Sequence, residues 1–122
     1  LLGLTTLDDV LGHPVAGASW EGLIIETAHA LMPEGTQAQF YRSGAGAEVD
    51  LVLTLPGGAV WAVEVKRNLA PKVERGFHSA CEDLQPARRI VVYPGDEAFP
   101  LPSGIEVMSL HQFGRDLLAL HP

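Results

Sequence analysis

Cysteine is nearly missing from this chain: of its 122 residues, Cys81 alone carries a thiol. One thiol cannot build an internal disulfide framework, and it fits a reducing compartment such as the cytoplasm. Its setting reads as that of a small apolar residue on a helix. Long apolar runs are missing too. No stretch approaches the roughly 20 residues of a membrane-spanning helix, and no signal-peptide pattern opens the chain. Positive charge is scarce, with 8 Lys and Arg against 15 Asp and Glu and a net charge of −7. That balance argues against a free-standing DNA clamp, because gripping a duplex usually takes a basic footprint. The few cations are clustered all the same. Lys66, Arg67, Lys72 and Arg75 lie within ten positions of each other. The small, Gly-rich stretch 43–47 is followed by no Gly-Lys-Ser/Thr, so it is not a phosphate-binding loop.

What is present is a soluble globular pattern, 47% hydrophobic, long enough for one domain with a single core. Its most informative stretch is 48–67, Glu-Val-Asp-Leu-Val-Leu-Thr-Leu-Pro-Gly-Gly-Ala-Val-Trp-Ala-Val-Glu-Val-Lys-Arg. Two apolar runs around Pro-Gly-Gly predict a β-hairpin. Asp50, Glu64 and Lys66 stand inside those runs, where an unpaired ion is costly to bury. With a three-residue loop of Pro56, Gly57 and Gly58, Leu55 faces Ala59 and Asp50 faces Glu64. Alternation then puts Val49, Leu51, Leu53, Leu55, Trp61, Val63 and Val65 on one face. Glu48, Asp50, Val52, Thr54, Val60, Ala62, Glu64 and Lys66 take the other. A two-residue loop would mix charge into the apolar face and is rejected. Adjacent carboxylates repel unless a cation sits between them. Mg²⁺ or Mn²⁺ takes oxygen ligands of this kind. Glu48 is expected to face Lys66 as a salt bridge.

Around the hairpin the chain reads in order. Residues 1–18 form a leading segment with Leu1, Leu2, Leu4 and Leu7. The start at Leu1, without methionine, suits a piece of a longer protein. Ser19 caps a helix over 20–32, whose inward stripe is Trp20, Leu23, Ile24, Ala28 and Leu31. Glu21 lies in its first turn. There it either complements the helix dipole or is a third carboxylate aimed at the hairpin. Glu26, five residues on, is turned away, and His29 is a surface or satisfied histidine. A first strand spans 37–42. After the hairpin, Pro71 opens a second helix over 70–84, with Val73, Phe77, Ala80, Cys81 and Leu84 inward. A strand over 88–93, a loop over 94–102, a strand over 105–108 and a helix over 110–120 complete the chain.

An aspartate followed on the next strand by Glu-x-Lys resembles the metal-and-lysine signature of the PD-(D/E)XK nuclease superfamily. The order αβββαβ is similar to that superfamily's α/β, restriction-endonuclease-like core, a mixed sheet flanked by helices over residues 19–122. Four stretches resemble a narrower family: Gly17-Ala18-Ser19-Trp20-Glu21-Gly22, Gly46-Ala47-Glu48-Val49-Asp50, Glu64-Val65-Lys66 and Arg75-Gly76-Phe77. That family is the nuclease-like domain of unknown function found C-terminal to AAA+-type ATPases. The resemblance implies Mg²⁺ or Mn²⁺ held by Asp50, Glu64 and the Val65 carbonyl, with Glu21 as the acidic residue of the first helix. It implies that Lys66 orients or deprotonates the attacking water and steadies the phosphate charge. It also implies a DNA substrate contacted by Arg67, Lys72 and Arg75, and an upstream ATPase domain in the same polypeptide. Val49 stands where the superfamily usually has proline. Three readings follow: a metal-dependent DNA nuclease, a nuclease-derived module that binds DNA or protein without cutting, and a salt-bridge network with no chemistry.

Overall fold

A computed structural model describes residues 19–122; the leading segment 1–18 lies outside the described residues. Helix α1 runs Trp20–Leu31, with the Ser19 hydroxyl accepting from Gly22 N. It is followed by β1 (Gln37–Arg42), β2 (Glu48–Thr54) and β3 (Val60–Val65). Next come α2 (Arg75–Leu84), β4 (Arg88–Val92), β5 (Phe99–Leu101), β6 (Ile105–Met108) and α3 (Leu110–Leu118). The six strands form one mixed sheet in the order β1-β2-β3-β4-β6-β5. β1, β2 and β3 are antiparallel neighbours, whereas β3, β4 and β6 run parallel.

Each face of the sheet has its own core. On one side, Ile24, Ala28 and Leu31 of α1 and Phe113 and Leu117 of α3 pack on Leu51, Leu53, Trp61, Val63 and Ile90. On the other, Phe77, Ala80 and Cys81 of α2 pack on Val52, Ala62, Val91 and Val107. The sheet is covered twice, so its central strands are apolar on both faces and stop alternating. Arg88 ties the layers together. Its guanidinium bonds Glu106 at 2.7 and 3.0 Å and Asp116 of α3 at 2.9 Å, and it lies over the Trp61 ring at 4.5 Å.

The hairpin has the register that a three-residue loop demands. Leu51 pairs with Val63, Leu53 with Trp61 and Thr54 with Val60, and Leu55 N donates to Ala59 O at 2.8 Å. The face assignment needs one correction. Val49 packs in the α2-side core, not with Leu51. Against β1, Val52 pairs with Gln39 but Val49 pairs with Tyr41, so β2 carries one extra residue between them. This bulge inverts the alternation at residues 50–51, next to the site.

Two further expectations are corrected. The second helix starts at Arg75, capped by Glu74 in extended conformation, and not at Ala70. Pro71 is buried, so its ring serves packing rather than a first helical turn. The helix begins where Gly76 must meet the 43–47 loop: a Cβ on Gly76 would lie 2.7 Å from Gly46 O. The loop expected over 94–102 contains edge strand β5, masked in the sequence by Pro100 and anchored by Phe99 edge-on to Tyr93 at 5.6 Å. Gly76→Ala is expected to destabilise the fold by about 1–3 kcal/mol in urea denaturation, because the backbone oxygen it meets cannot rotate away. Gly44→Ala, whose Cβ meets nothing, is the control and should stay within about 0.5 kcal/mol of wild type.

Candidate metal and phosphate site

Three elements converge where β2 and β3 part. The paired ladder ends at Leu51–Val63. One residue beyond, the Asp50 carboxylate reaches across and accepts from Val65 N at 2.8 Å. Glu64, between Val63 and Val65 on β3, is only 9% exposed. Its Oε1 is buried without a hydrogen-bond partner. Burial, and then the neighbouring Asp50 carboxylate, push the Glu64 carboxyl up to about 8, and Lys66 opposes the shift. The pair therefore holds a proton at neutral pH when nothing else neutralises it.

Lys66 closes the site from the end of β3. Its Nζ lies 3.9 Å from Glu64 Oε2 and 3.7 Å from Glu74 Oε1. Its backbone N–H donates to Val92 O at 3.0 Å, fixing the strand end beside β4. The expected Glu48–Lys66 bridge is not formed: Glu48 Oε1 pairs with Arg42 at 3.0 Å. The bulge explains this, since it changes which face the residues before Asp50 present. Glu74 takes the place foreseen for Glu48. It was invisible in sequence because it lies just outside the helix assumed to contain it.

Glu21 arrives from α1. The Trp20 indole N–H donates to Lys66 O at 2.8 Å and so pins the first turn of the helix to the end of β3. Partial burial, then the Asp50 charge, raise the Glu21 carboxyl, while Arg67 lowers it. The charges of Asp50 and Arg67 both act on Glu21, and Glu26 is exposed elsewhere on the helix. Lys72 and Arg75 are exposed. Lys72 lines a hollow against Leu101, Pro102 and Ser103 near the β5–β6 edge, away from the carboxylates. Val65 contributes its backbone N–H to Asp50 and follows Glu64 directly.

Among the described residues, no three His, Cys, Asp or Glu side chains are already gathered as a metal-holding group. What exists is a carboxylate pair with one buried, unpartnered oxygen. Both donors are hard oxygens, which suits Mg²⁺ or Mn²⁺ better than a thiophilic or imidazole-seeking ion. A hollow of about 530 Å³ lies beside Leu55, Pro56 and His121 at the hairpin-turn end. Its lining includes Glu34 and His121 but neither Asp50, Glu64 nor Lys66. No described helix is long and apolar enough to cross a membrane.

Comparison with known proteins gives a family without an assigned activity. The family model described as "Domain of unknown function (DUF4143)" matches residues 16–113. The chain is similar to the uncharacterized protein Mb2031c of Mycobacterium bovis and to the uncharacterized protein Rv2008c of Mycobacterium tuberculosis. Each is 40% identical over 101 residues, covering 80% of this chain and 22% of the relative. The chain thus spans about a fifth of the length of these relatives. No solved structure matches it significantly.

Proposed function

The chain belongs to the family described as Domain of unknown function (DUF4143), and from that premise we propose that it is a nuclease-type domain hydrolysing phosphodiesters of DNA with Mg²⁺ or Mn²⁺. The observation that carries this reading is Glu64: a buried carboxylate with an unpartnered oxygen, beside Asp50 and with Lys66 Nζ at 3.9 Å. A chain gains nothing structurally from a buried carboxyl oxygen left without a partner beside a second carboxylate. A cation site explains it.

In this reading Asp50, Glu64 and the Val65 carbonyl would hold the ion, with Glu21 as a further acidic group. When bound, the cation neutralises charge on the phosphate and acidifies water. Lys66 lies where its ammonium can bond a phosphate oxygen next to Glu64, and it holds that oxygen as negative charge grows during attack. Water forms the new bond to phosphorus and releases a proton to solvent while the bond to the leaving sugar oxygen breaks, and that oxygen takes up a proton from solvent. Arg67, beside Glu21, steadies the neighbouring phosphate, and Lys72 and Arg75 are outer contacts. The αβββαβ order and the mixed sheet support assigning the restriction-endonuclease-like fold. Because the relatives are several times longer than the matched segment, the domain is read as part of a larger cytoplasmic protein carrying an upstream AAA+-type ATPase domain.

The second reading is a non-cutting module that binds DNA or protein and regulates the ATPase. The net charge of −7 and the lack of a gathered metal-ligand group among the described residues favour it. One experiment separates the two. Plasmid and single-stranded DNA are incubated with the full-length protein and Mg²⁺ or Mn²⁺, with and without ATP and with EDTA as control. Metal-dependent nicking or degradation is expected. Intact DNA under every condition removes the enzyme and leaves the module.

A further inference from the structure

We infer that Glu74 is a positioning residue of the site: its carboxylate holds the Lys66 ammonium in place for the phosphate, and α2 forgoes a capping side chain to put it there. The inference rests on the proposed function for the role of Lys66, and adds to that site a residue on a fourth element.

The three α-helices differ at their starts. α1 and α3 are capped by Ser19 and Ser109, whose hydroxyls accept from Gly22 N and Gln112 N. The cap position of α2 is Glu74. Its backbone is extended like theirs, but its side chain makes no capping bond. Serine, threonine, aspartate and asparagine satisfy the open N–H groups of a first turn, and glutamate is not among the favoured caps. The Glu74 carboxylate turns to Lys66 instead, with Oε1 at 3.7 Å from Nζ. Stability does not explain that choice. The Glu74 side chain is 77% exposed, and an ion pair with one partner so open to water contributes little to a fold.

The backbone under Glu74 is nonetheless fixed. Its carbonyl accepts from Phe77 N at 3.2 Å, and Phe77 is buried in the α2-side core. Gly76 meets Gly46 O so closely that no Cβ fits between them, which sets where α2 starts. Glu64 shares the α2 side of the sheet with Ala62 by alternation. The Lys66 ammonium thus stands between Glu64 Oε2 at 3.9 Å, on the strand, and Glu74, at the helix start. The two carboxylates have different fates in the proposed reaction. A cation at Asp50 and Glu64 takes up the charge of Glu64. Glu74 is not among the donors proposed for that cation, so it is the carboxylate left to Lys66. It keeps the ammonium at the edge of the site, where the phosphate oxygen arrives.

The test uses full-length protein, DNA and saturating Mn²⁺. It compares Glu74→Ser and Glu74→Gln with wild type, and repeats both in Lys66→Ala. Each single variant should lower kcat about tenfold, while KM and the Mn²⁺ affinity measured by calorimetry stay within about twofold. In metal-free urea denaturation Glu74→Ser should hold or raise the midpoint, because serine can cap the helix. A slower enzyme that is no less stable separates positioning from structural support. In Lys66→Ala neither substitution should change the remaining rate by more than about twofold. Wild-type kcat in both variants overturns the role. So does a tenfold loss that persists without Lys66, or a Glu74→Ser midpoint below wild type. Any of these with an active wild type removes Glu74 alone; DNA left intact by wild type removes the proposed function and this role with it.

Discussion

Glu64→Gln is expected to make the metal-free protein more stable above neutral pH while abolishing its Mn²⁺ binding. Few site substitutions combine those two signs. The cause is the buried, unpartnered Glu64 Oε1 beside a second carboxylate. A glutamine keeps the size, removes the charge and offers an N–H donor toward Asp50. The pH dependence follows from linkage. Unfolded, the Glu64 carboxyl titrates near 4.5; folded, it is pushed up to about 8, chiefly by burial. Below pH 4.5 both states are protonated and no penalty exists. Between these values the unfolded chain has released a proton that the folded chain keeps. Stability therefore falls as pH rises, by at most about 1.4 kcal/mol for each pH unit. Above about 8 the loss is complete, at most about 5 kcal/mol.

Urea midpoints from pH 5 to 9 measure this directly. Wild type should decline across the window and Glu64→Gln should run nearly flat. Saturating Mn²⁺ should restore wild type at high pH, by about 2.7 kcal/mol when the ion stands at a hundred times its dissociation constant, and should leave the variant unmoved. A flat wild-type profile, or equal Mn²⁺ stabilisation of both proteins, would show that the pair is neutralised internally and holds no ion.

The hairpin was legible in the sequence because its turn is self-announcing. Pro-Gly-Gly fixes the loop length, and the loop length fixes the register from Leu55–Ala59 back to Leu51–Val63. The approach of Asp50 to Glu64 followed from arithmetic on that register. Its manner did not. A bulge leaves no mark in a row of apolar residues, so Val49 was placed on the wrong face and Glu48 was paired with Lys66 instead of Arg42. Glu74 was missed for a related reason. Proline is compatible with a first helical turn, and nothing local says that residues 71–74 stay extended until Gly76 meets Gly46. That constraint joins positions thirty apart and exists only after folding. The link from Trp20 to Lys66 O is equally non-local, yet the adjacency of Trp20 and Glu21 in the chain was its visible trace.

Lys66→Ala is expected to lower metal-dependent DNA cleavage about a thousandfold at pH 9 while changing Mn²⁺ affinity there only a few-fold. Removing one preorganised donor from a developing oxyanion typically costs about 10²–10³ in rate, and an ammonium is a charged donor in a site largely closed to water. Lys66 is 17% exposed on its side chain and held between Glu64 and Glu74 at 3.9 and 3.7 Å, so its position is set before substrate arrives. The pH must be chosen with care. Lys66 is the cation that offsets the rise of the Glu64 carboxyl. Without it, Glu64 ionises at still higher pH, and the pH at which Mn²⁺ half-saturates the protein moves upward. At pH 7 the variant therefore loses both affinity and rate; at pH 9 the two separate. Lys66→Met, which keeps the aliphatic stem, should show the same loss of rate, and urea midpoints show whether either variant is folded. Cleavage within tenfold of wild type at pH 9 in both folded variants would assign Lys66 to charge balance alone, leaving the carboxylate pair as a metal site without its phosphate partner.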